Sequence, residues 1–300
     1  MKEYLERKLP ASLWGSVRRG WHFILKTRDG FVAALAGFLI VILGFPSQRL
    51  LAAIKERLTI IVRMDYSPRN IYLNADSIIE YQTRRNSCKK EPETVHWIES
   101  QFKPGDVFYD IGANVGAYSF VAARQSEGKI KVYAFEPSYS TFAQLNKNII
   151  LNSCEGKIIP FCVALSSRTE ISFLNYSSLA PGAALHSLTQ TSIDQERALK
   201  PVTSQPVLSY RIDDLITTFE IEKPTYIKLD VDGTELEILK GADETLRHPG
   251  LKSILIEVET GLETSARITD FLGERGFHVQ MKRRHDTSGT APSNYVFVRG

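Results

Sequence analysis

The sequence predicts an α/β fold in which a mostly parallel sheet carries helices on both faces and ends in an antiparallel edge. Short apolar runs typical of buried strands alternate with segments of helical period from residue 91 to residue 298. The first strand, Val107–Asp110, passes directly into the glycine turn Ile111–Gly116, and the second, Val132–Phe135, ends in Glu136. The composition agrees, because 43% hydrophobic and 24% charged residues are typical of a globular domain.

Residues 1–63 form an extension that we expect to be helical and partly hydrophobic, ahead of a catalytic domain over residues 64–300. Phe31–Phe45 is an apolar run of fifteen residues, shorter than the about 20 that a spanning helix needs. The segment Gln48–Arg63 has helical period, with Ile54 and Leu58 on its apolar face. The extension therefore packs on the domain or on a second subunit of a homo-oligomer, or it makes a peripheral membrane contact through residues 31–63.

Charge and cysteine content bear on partners and compartment. The net charge of +3 comes from 37 basic and 34 acidic residues, a balance that gives no reason to expect a nucleic-acid partner. The three cysteines lack C-x-x-C spacing, which argues against a zinc site and a disulfide framework. We therefore expect a cytoplasmic protein with reduced thiols. If residues 31–63 contact a membrane, the protein would be associated with the membrane surface.

The catalytic domain is predicted to alternate between strands and helices. A proline and two acids indicate a helix start at Glu91–Thr94. The further helices are predicted at Ala117–Arg124, Ser140–Leu151, Glu235–Leu246 and Ser265–Arg275. Beyond the first two, the strands are predicted at Ile158–Val163, Tyr226–Leu229, Ile254–Ile256, Phe277–Met281 and Tyr295–Val298, the last two as an antiparallel pair.

Residues 166–210 lack a strong period. We expect a short strand at Ile171–Leu174 and extended chain at Val207–Ile212. Between them, Asn175–Lys200 is polar and predicts a long loop, which on this side of the sheet could cover the substrate.

The glycine turn predicts a nucleoside site of a particular kind. Glycine tolerates positive φ and has no side chain to hold a ligand away. The pattern Asp110-x-Gly112-x-x-x-Gly116 lacks the middle glycine that admits a pyrophosphate, which disfavours the alternative of an NAD(P)-dependent oxidoreductase. The acid at the entrance suits a cationic cofactor with an amino-acid end, such as S-adenosylmethionine. Glu136, at the tip of the next strand, can accept hydrogen bonds from both ribose hydroxyls.

Several motifs together resemble those of the FkbM family of methyltransferases. They are Lys90–Thr94, Phe108–Gly116, Ala134–Pro137, Ile227–Glu235 and Leu239–Ala242. The resemblance covers about residues 64–300, although the family more often has Glu at the place of Asp232. It implies a class I S-adenosylmethionine-dependent fold, with seven strands in the order 3-2-1-4-5-7-6. Family members mostly methylate hydroxyl groups of sugars or secondary metabolites, so we expect O-methylation of a glycan or another small-molecule acceptor.

The resemblance also implies roles for matching residues. Asp110, Gly112, Asn114 and Gly116 would surround the methionine end of S-adenosylmethionine. Glu136 would bind its ribose, and Ala164, just after the third strand, would lie near the adenine.

Acids after the fourth strand are the catalytic candidates, since ligands lie outside the carboxyl ends of the strands in an open sheet. A hydroxyl must lose its proton when it is methylated. We expect Asp230 to orient the hydroxyl or to accept its proton, with Asp232 and the loop residue His186 as further candidates. The competing interpretation of Asp232 is a turn that caps the next helix.

The sequence leaves two further alternatives open. Asp230, Asp232, Glu257 and Glu259 could hold Mg²⁺, but their spacing matches no dedicated ion-binding loop, so catalysis without a metal is favoured. A non-catalytic, membrane-associated scaffold would use residues 31–63 and leave Asp110 and Glu136 without a purpose.

Overall fold

The computed structural model describes residues 48–184, 186–189, 201–258, 262–284 and 292–300. The chain divides into two units, Met1–Thr59 and Ile60–Gly300. The run Phe31–Phe45 lies outside the described residues. The segment expected to be helical from Gln48 is a helix only as far as Arg57, because Ile61–Arg63 forms a strand of the second unit. Among the described helices, none combines the length and apolar character needed to cross a membrane.

The strands and helices have the following bounds. The strands are β1 (Ile61–Arg63), β2 (Tyr72–Asn74), β3 (Val107–Ile111), β4 (Lys131–Phe135), β5 (Ile158–Phe161), β6 (Ala164–Leu165), β7 (Glu170–Tyr176), β8 (Ser187–Thr189), β9 (Thr203–Tyr210), β10 (Tyr226–Leu229), β11 (Ser253–Val258), β12 (Phe277–Arg284) and β13 (Ser293–Arg299). The helices are α1 (Gln48–Arg57), α2 (Ile78–Gln82), α3 (Ser87–Lys90), α4 (Pro92–Gln101), α5 (Ala117–Gln125), α6 (Tyr139–Leu151), α7 (Ile212–Phe219), α8 (Glu235–Lys240), α9 (Asp243–Arg247) and α10 (Leu262–Gly273).

Seven strands form the central sheet, in the order β5-β4-β3-β10-β11-β13-β12. Numbered by their appearance in the chain, these strands run 3-2-1-4-5-7-6, as the resemblance implied. The neighbouring pairs from β5 to β11 are parallel, and β13 is antiparallel to both β11 and β12. The predicted α/β fold with an antiparallel C-terminal edge is confirmed.

Helices cover both faces of this sheet because successive side chains of a strand point to opposite sides. Phe108 joins Trp97 of α4 in one buried core. Its neighbour Tyr109 joins Ile268 of α10 in the other. The strands are thus buried on both faces, and the polar residues just past their carboxyl ends are left to line a site.

The predicted long loop is partly wrong. Four strands in the order β6-β9-β7-β8 form a second sheet within residues 164–210. β7 pairs antiparallel with both β8 and β9, and β8 lies inside the segment expected to be loop. The short strand predicted at Ile171–Leu174 lies within β7. The sequence pattern did not predict β8 or the pairing of these strands, because buried polar residues such as Asn175 blur the alternation.

Two further predictions also need correction. The extended chain predicted over Val207–Ile212 is a strand, β9, only as far as Tyr210, and Ile212 begins α7. The single helix expected over Glu235–Leu246 is two short helices, α8 and α9. They part at Gly241, where a β-carbon would lie 2.1 Å from the carbonyl oxygen of Ser166, so the backbone of this corner packs directly on the second sheet.

Candidate active site

A cavity of about 330 Å³ lies at the carboxyl ends of the parallel strands, a volume in the range of small-molecule sites. The lining brings together most of the residues singled out in the sequence: Gly112, Asn114, Glu136, Ala164, His186, Asp230 and Asp232. Strand tips of the central sheet supply one wall. The second sheet supplies another, through Leu174 and Leu188, together with Ala183 of the chain between β7 and β8.

Gly112 follows β3 with a φ of +76°, in the region that favours glycine. A β-carbon at this position would lie 1.9 Å from the main-chain oxygen of Asp230. The main-chain N–H groups of Gly112 and Ala113 both donate to the carbonyl of Phe135, at 3.0 Å each. Because glycine has no side chain, the turn packs closely between the ends of β4 and β10. The tips of β3, β4 and β10 thereby lie next to one another.

Asn114 completes the turn with a φ of 51°, which asparagine tolerates better than most residues. Its main-chain N–H donates to Oε2 of Glu136 at 3.0 Å. Its side-chain Nδ2 donates to the carbonyl of Ala183 at 2.9 Å, which joins the turn to the chain that leads into β8. Asn114 thus links the wall that contains Glu136 to the wall that contains Ala183.

Glu136 lies just past β4 and is almost fully buried. Its Oε1 accepts the main-chain N–H of Ser138 at 2.8 Å, and its Oε2 accepts that of Asn114. Burial raises the pKa of this carboxyl to about 7, although the two N–H donors and the nearby Arg84 guanidinium favour the ionised form. The acid is held in one orientation and changes its charge near neutral pH.

Asp110 and Gly116 lie behind the turn and are not in the cavity wall. The Asp110 carboxyl is 1% exposed, and its Oδ2 accepts the hydroxyl of Ser119 at 2.5 Å. Gly116 precedes α5 with a φ of +93°, and a β-carbon there would lie 2.6 Å from Cδ1 of Leu145. These positions support the turn from behind, and the place around the methionine end of the cofactor that the resemblance implies for them stays a prediction.

Asp230 follows β10 and is held by a buried lysine. Nζ of Lys228 donates to its Oδ2 at 2.6 Å. Burial alone would raise the pKa of Asp230, but the Lys228 ammonium outweighs it and holds that pKa below its usual range. The Glu257 side chain from β11 lies within hydrogen-bond reach of the same carboxylate and also lines the cavity.

Asp232 and His186 come together although 46 positions separate them in the chain. Oδ2 of Asp232 accepts the main-chain N–H of His186 at 2.9 Å. Nδ1 of His186 lies 3.3 Å from the hydroxyl of Ser177, and its Nε2 is buried with no hydrogen-bond partner among the described residues. Burial lowers the pKa of this imidazole, and Arg84 adds to the effect, so the neutral ring is favoured.

Two cations that the sequence interpretation gave no role also line the cavity, Arg84 and Lys90. Nε and Nη2 of Arg84 donate to the carbonyl of Gly182, at 2.8 and 2.6 Å. Nζ of Lys90 pairs with the buried Glu91 at 2.9 Å. Lys90 stands in a motif of the resemblance, a signal that could have flagged it. Arg84 has no such signal, because it reaches the site only through the tertiary fold.

Ala164 begins β6 and is buried in the cavity wall, where a small apolar side chain suits a flat ring. Within the described parts of the chain, no group of three or more His, Cys, Asp or Glu side chains is placed to hold a metal ion. Glu259, one of the magnesium candidates, lies outside the described residues.

One protein-family model matches a stretch of this chain that contains most of the site residues. The model described as the methyltransferase FkbM domain matches residues 110–279. The hexuronic acid methyltransferase AglP of Haloferax volcanii is 27% identical over 197 residues, which are 65% of this chain and 73% of that protein. The 31-O-demethyl-FK506 methyltransferase FkbM of Streptomyces tacrolimicus is 25% identical over 208 residues, or 63% of this chain and 79% of that protein.

Among solved structures, wild-type Trm5b from Pyrococcus abyssi is similar with a TM-score of 0.47 and 16% identity, over 80% of this chain and 55% of that one. The family match contains the glycine turn, Glu136 and Asp230. It begins after Arg84 and Lys90, so these two cations belong to the stretch that precedes it.

Proposed function

The chain belongs to the FkbM methyltransferase family, and we propose that it is an S-adenosylmethionine-dependent O-methyltransferase acting on a saccharide or another small hydroxylated metabolite. The observation that carries this proposal is the convergence of Glu136 and Asp230 on one cavity, with Gly112 packed between the strand tips that bear them. Glu136 can bind the ribose of a nucleoside, and Asp230 can accept a proton. Because these two acids lie on opposite sides of the glycine turn, they suit a methyl donor that lies across that turn.

The residues present fit S-adenosylmethionine. Each carboxylate oxygen of Glu136 already accepts one main-chain N–H, which fixes its orientation and leaves lone pairs for two ribose hydroxyls. Ala164 and Leu165 provide an apolar surface for the adenine. Lys90 lies beside Asp230 and Glu257 and would pair with the carboxylate of the methionine end.

S-adenosylmethionine held by these residues would supply a methyl group on a sulfonium, and the acceptor oxygen would gain that methyl as the sulfur–carbon bond breaks. Asp230 accepts the hydrogen bond of the acceptor hydroxyl and receives its proton as the new bond forms. Because its pKa is low, Asp230 is a weak base that takes the proton late, when methylation has made the hydroxyl acidic. Orientation of the acceptor oxygen by this side of the cavity supplies much of the rate.

Support for an oxygen acceptor comes from the relatives' names, which specify a hexuronic acid and 31-O-demethyl-FK506. His186 offers its buried Nε2 as a hydrogen-bond acceptor or donor to the same substrate. Asp232 acts on His186 through the main chain, so we assign it a positioning role.

Titration calorimetry with S-adenosylhomocysteine, S-adenosylmethionine and NAD⁺ tests the donor. We expect saturable binding of both adenosyl compounds and none of NAD⁺; the reverse result would identify an oxidoreductase, and no binding at all would favour the scaffold. Glu136→Ala should weaken the affinity for S-adenosylhomocysteine about tenfold or more, since it removes hydrogen bonds to a charged group. Glu155→Ala, at an exposed position away from the cavity, is the matched control.

The acceptor is tested by transfer of a tritiated methyl group to paired glycosides that differ only in a glucose or a glucuronic acid end. We expect product from at least one hydroxylated acceptor and its loss in Asp230→Asn. Nuclear magnetic resonance of the product then locates the methyl group. A methyl ester on the carboxylate of the glucuronic acid glycoside, in place of a methyl ether, contradicts the proposed methylation of a hydroxyl.

A further inference from the structure

Lys228 is a fully buried cation that stands behind the cavity wall. It lies in the middle of the central sheet, on β10, and is 1% exposed. Its ammonium is 4.8 Å from the centre of the Tyr118 ring and donates to Asp230 at 2.6 Å. The parallel register sets it opposite Asp110 of β3. A lysine in such a place must be balanced by acids, because an isolated buried charge is very costly.

The acids around Lys228 come from three places in the chain, whereas β11 sets the apolar Leu255 beside it. Asp110 belongs to β3, Asp230 follows β10 and Glu91 precedes α4, and all three favour its charged form. Tyr118 of α5 covers one side. Farther out, Lys90 and Glu257 act on Asp230. Burial raises the pKa of Asp110, so this acid is less readily ionised than Asp230.

The carboxylates differ in what else they contact. Asp110 accepts the hydroxyl of Ser119, and Glu91 pairs with Lys90. Asp230 lines the cavity and receives the direct bond from Lys228, at the distance of a charge-assisted hydrogen bond. One oxygen of the cavity-facing acid is thereby fixed, which restricts the directions in which its carboxylate can face.

We propose that Lys228 is a positioning residue for methyl transfer, which holds Asp230 in its ionised form and turns it toward the acceptor without contacting donor or acceptor. The inference rests on the proposed function, because it gives a purpose to the base assigned there. A merely stabilising role explains the arrangement less well, since buried ion pairs are often no more stabilising than apolar residues of the same size.

The direct test is the titration of Asp230 itself. Aspartate labelled with ¹³C at Cγ reports ionisation by carbon resonance, and the signal of Asp230 is assigned by its loss in Asp230→Asn. In the wild type we expect Asp230 to stay ionised from about pH 8 down to about pH 5, and to titrate below the ordinary aspartate value of about 3.9. Protonation at or above that value overturns the proposal, and this outcome needs no variant at Lys228.

Lys228→Met then removes the ammonium. We expect the carboxyl of Asp230 to titrate at a higher pH than in the wild type, because the ammonium that most strongly opposes the effect of burial is gone. Lys252→Met is the matched control: Lys252 also pairs with an aspartate, Asp106 at 2.9 Å, and lies 5.6 Å from a tyrosine ring, but it is half exposed. An unchanged titration in Lys228→Met contradicts the proposal. If that variant does not fold, the wild-type titration decides.

A kinetic readout separates positioning from packing. For the acceptor identified by methyl transfer, we expect kcat of Lys228→Met to fall as the pH decreases and to recover at high pH, with Lys228→Arg restoring part of the loss. A loss that is equal at every pH indicates a packing role and overturns the inference. Binding of S-adenosylhomocysteine is measured in parallel; its absence in the wild type refutes the proposed function, whereas normal binding with an unshifted Asp230 refutes only this inference.

Discussion

The main-chain N–H of Asn114 donates to Oε2 of Glu136 at 3.0 Å, so the residue that turns the chain after β3 also orients the acid at the tip of β4. The bond has an electrostatic consequence. It stabilises the ionised carboxylate but does not overcome burial, and the pKa of Glu136 remains raised to about 7. The predicted donor site therefore contains an acid that changes charge in the physiological range.

This acid makes the stability of the ligand-free protein depend on pH. The pKa of Glu136 is about 7 in the folded state and 4.5 ordinarily, so the folded state binds more protons between these values. The free energy of unfolding then falls by up to about 3 kcal/mol as the pH rises through this window. Glutamine cannot titrate, so the free energy of unfolding of Glu136→Gln should rise by that amount relative to the wild type between about pH 4.5 and pH 8. Urea unfolding at several pH values measures this difference. A constant difference between the two proteins would place the pKa of Glu136 near its ordinary value.

Donor binding should release a proton from the same group. Ribose hydroxyls donate to an ionised carboxylate, so binding of S-adenosylhomocysteine favours the charged form of Glu136. We expect release of close to one proton per site at about pH 6 and almost none from this group at about pH 9. Calorimetry in buffers of different ionisation enthalpy measures it, and Glu136→Gln is the control. Equal release by the variant would remove Glu136 as the source.

The close approach of Gly112 to Asp230 predicts an unusually large effect of a single methyl group. Gly112 and Gly156 have nearly equal φ values, +76° and +73°, but only the former has an atom within reach of an added β-carbon. Gly156→Ala should cost about 1 kcal/mol of stability, from backbone conformation alone. Gly112→Ala should cost about 3 kcal/mol or more and weaken binding of S-adenosylhomocysteine, because the tips of β3 and β10 must part. Similar melting temperatures for the two variants would contradict the packing described here.

Asp232 is expected to act as a hydrogen-bond acceptor for the main chain of His186, in keeping with the assignment above. Asp232→Asn keeps an acceptor oxygen and should leave amide exchange at residues 186–189 close to that of the wild type. Asp232→Ala removes it and should speed exchange there by about threefold to tenfold, as expected for one hydrogen bond. Hydrogen exchange followed by mass spectrometry distinguishes them. Faster exchange in both variants would assign the effect to charge.

The sequence interpretation was most successful where local rules and tertiary structure coincide. The path from β3 through the turn to Glu136 was predicted because buried strands and glycine turns leave strong local patterns. Gly112 was expected to make room for a ligand, but its β-carbon would meet the main chain of Asp230, a contact between strands that no local pattern records. Arg84 reaches the cavity by a bond to Gly182, 98 positions away, and so could not be found from spacing.

The second sheet was predicted only in part, for a related reason. The strand at Ile171–Leu174 was expected and lies in β7, but its extension to Asn175 and the strand β8 were not, because a search for apolar alternation passes over buried polar residues. Helix α8 ends early because Gly241 packs on the backbone of Ser166, again a tertiary contact. Local propensity described the central sheet, whereas the element that closes the site depends on pairing between distant segments.

The second sheet supplies a wall of its own to the cavity, from a separate stretch of the chain. Gly112, Asn114 and Glu136 come from the central sheet, whereas Leu174 and Leu188 come from β7 and β8. Substitutions on β7 and β8 can reshape this wall and leave the glycine turn and Glu136 unchanged, so under the proposed function we expect them to alter acceptor preference more than donor binding. The fold therefore offers crossover points for chimaeras in which β7 to β9, residues 170–210, are exchanged between relatives to transfer acceptor preference, while Ala164, Leu165 and Glu136 stay unchanged.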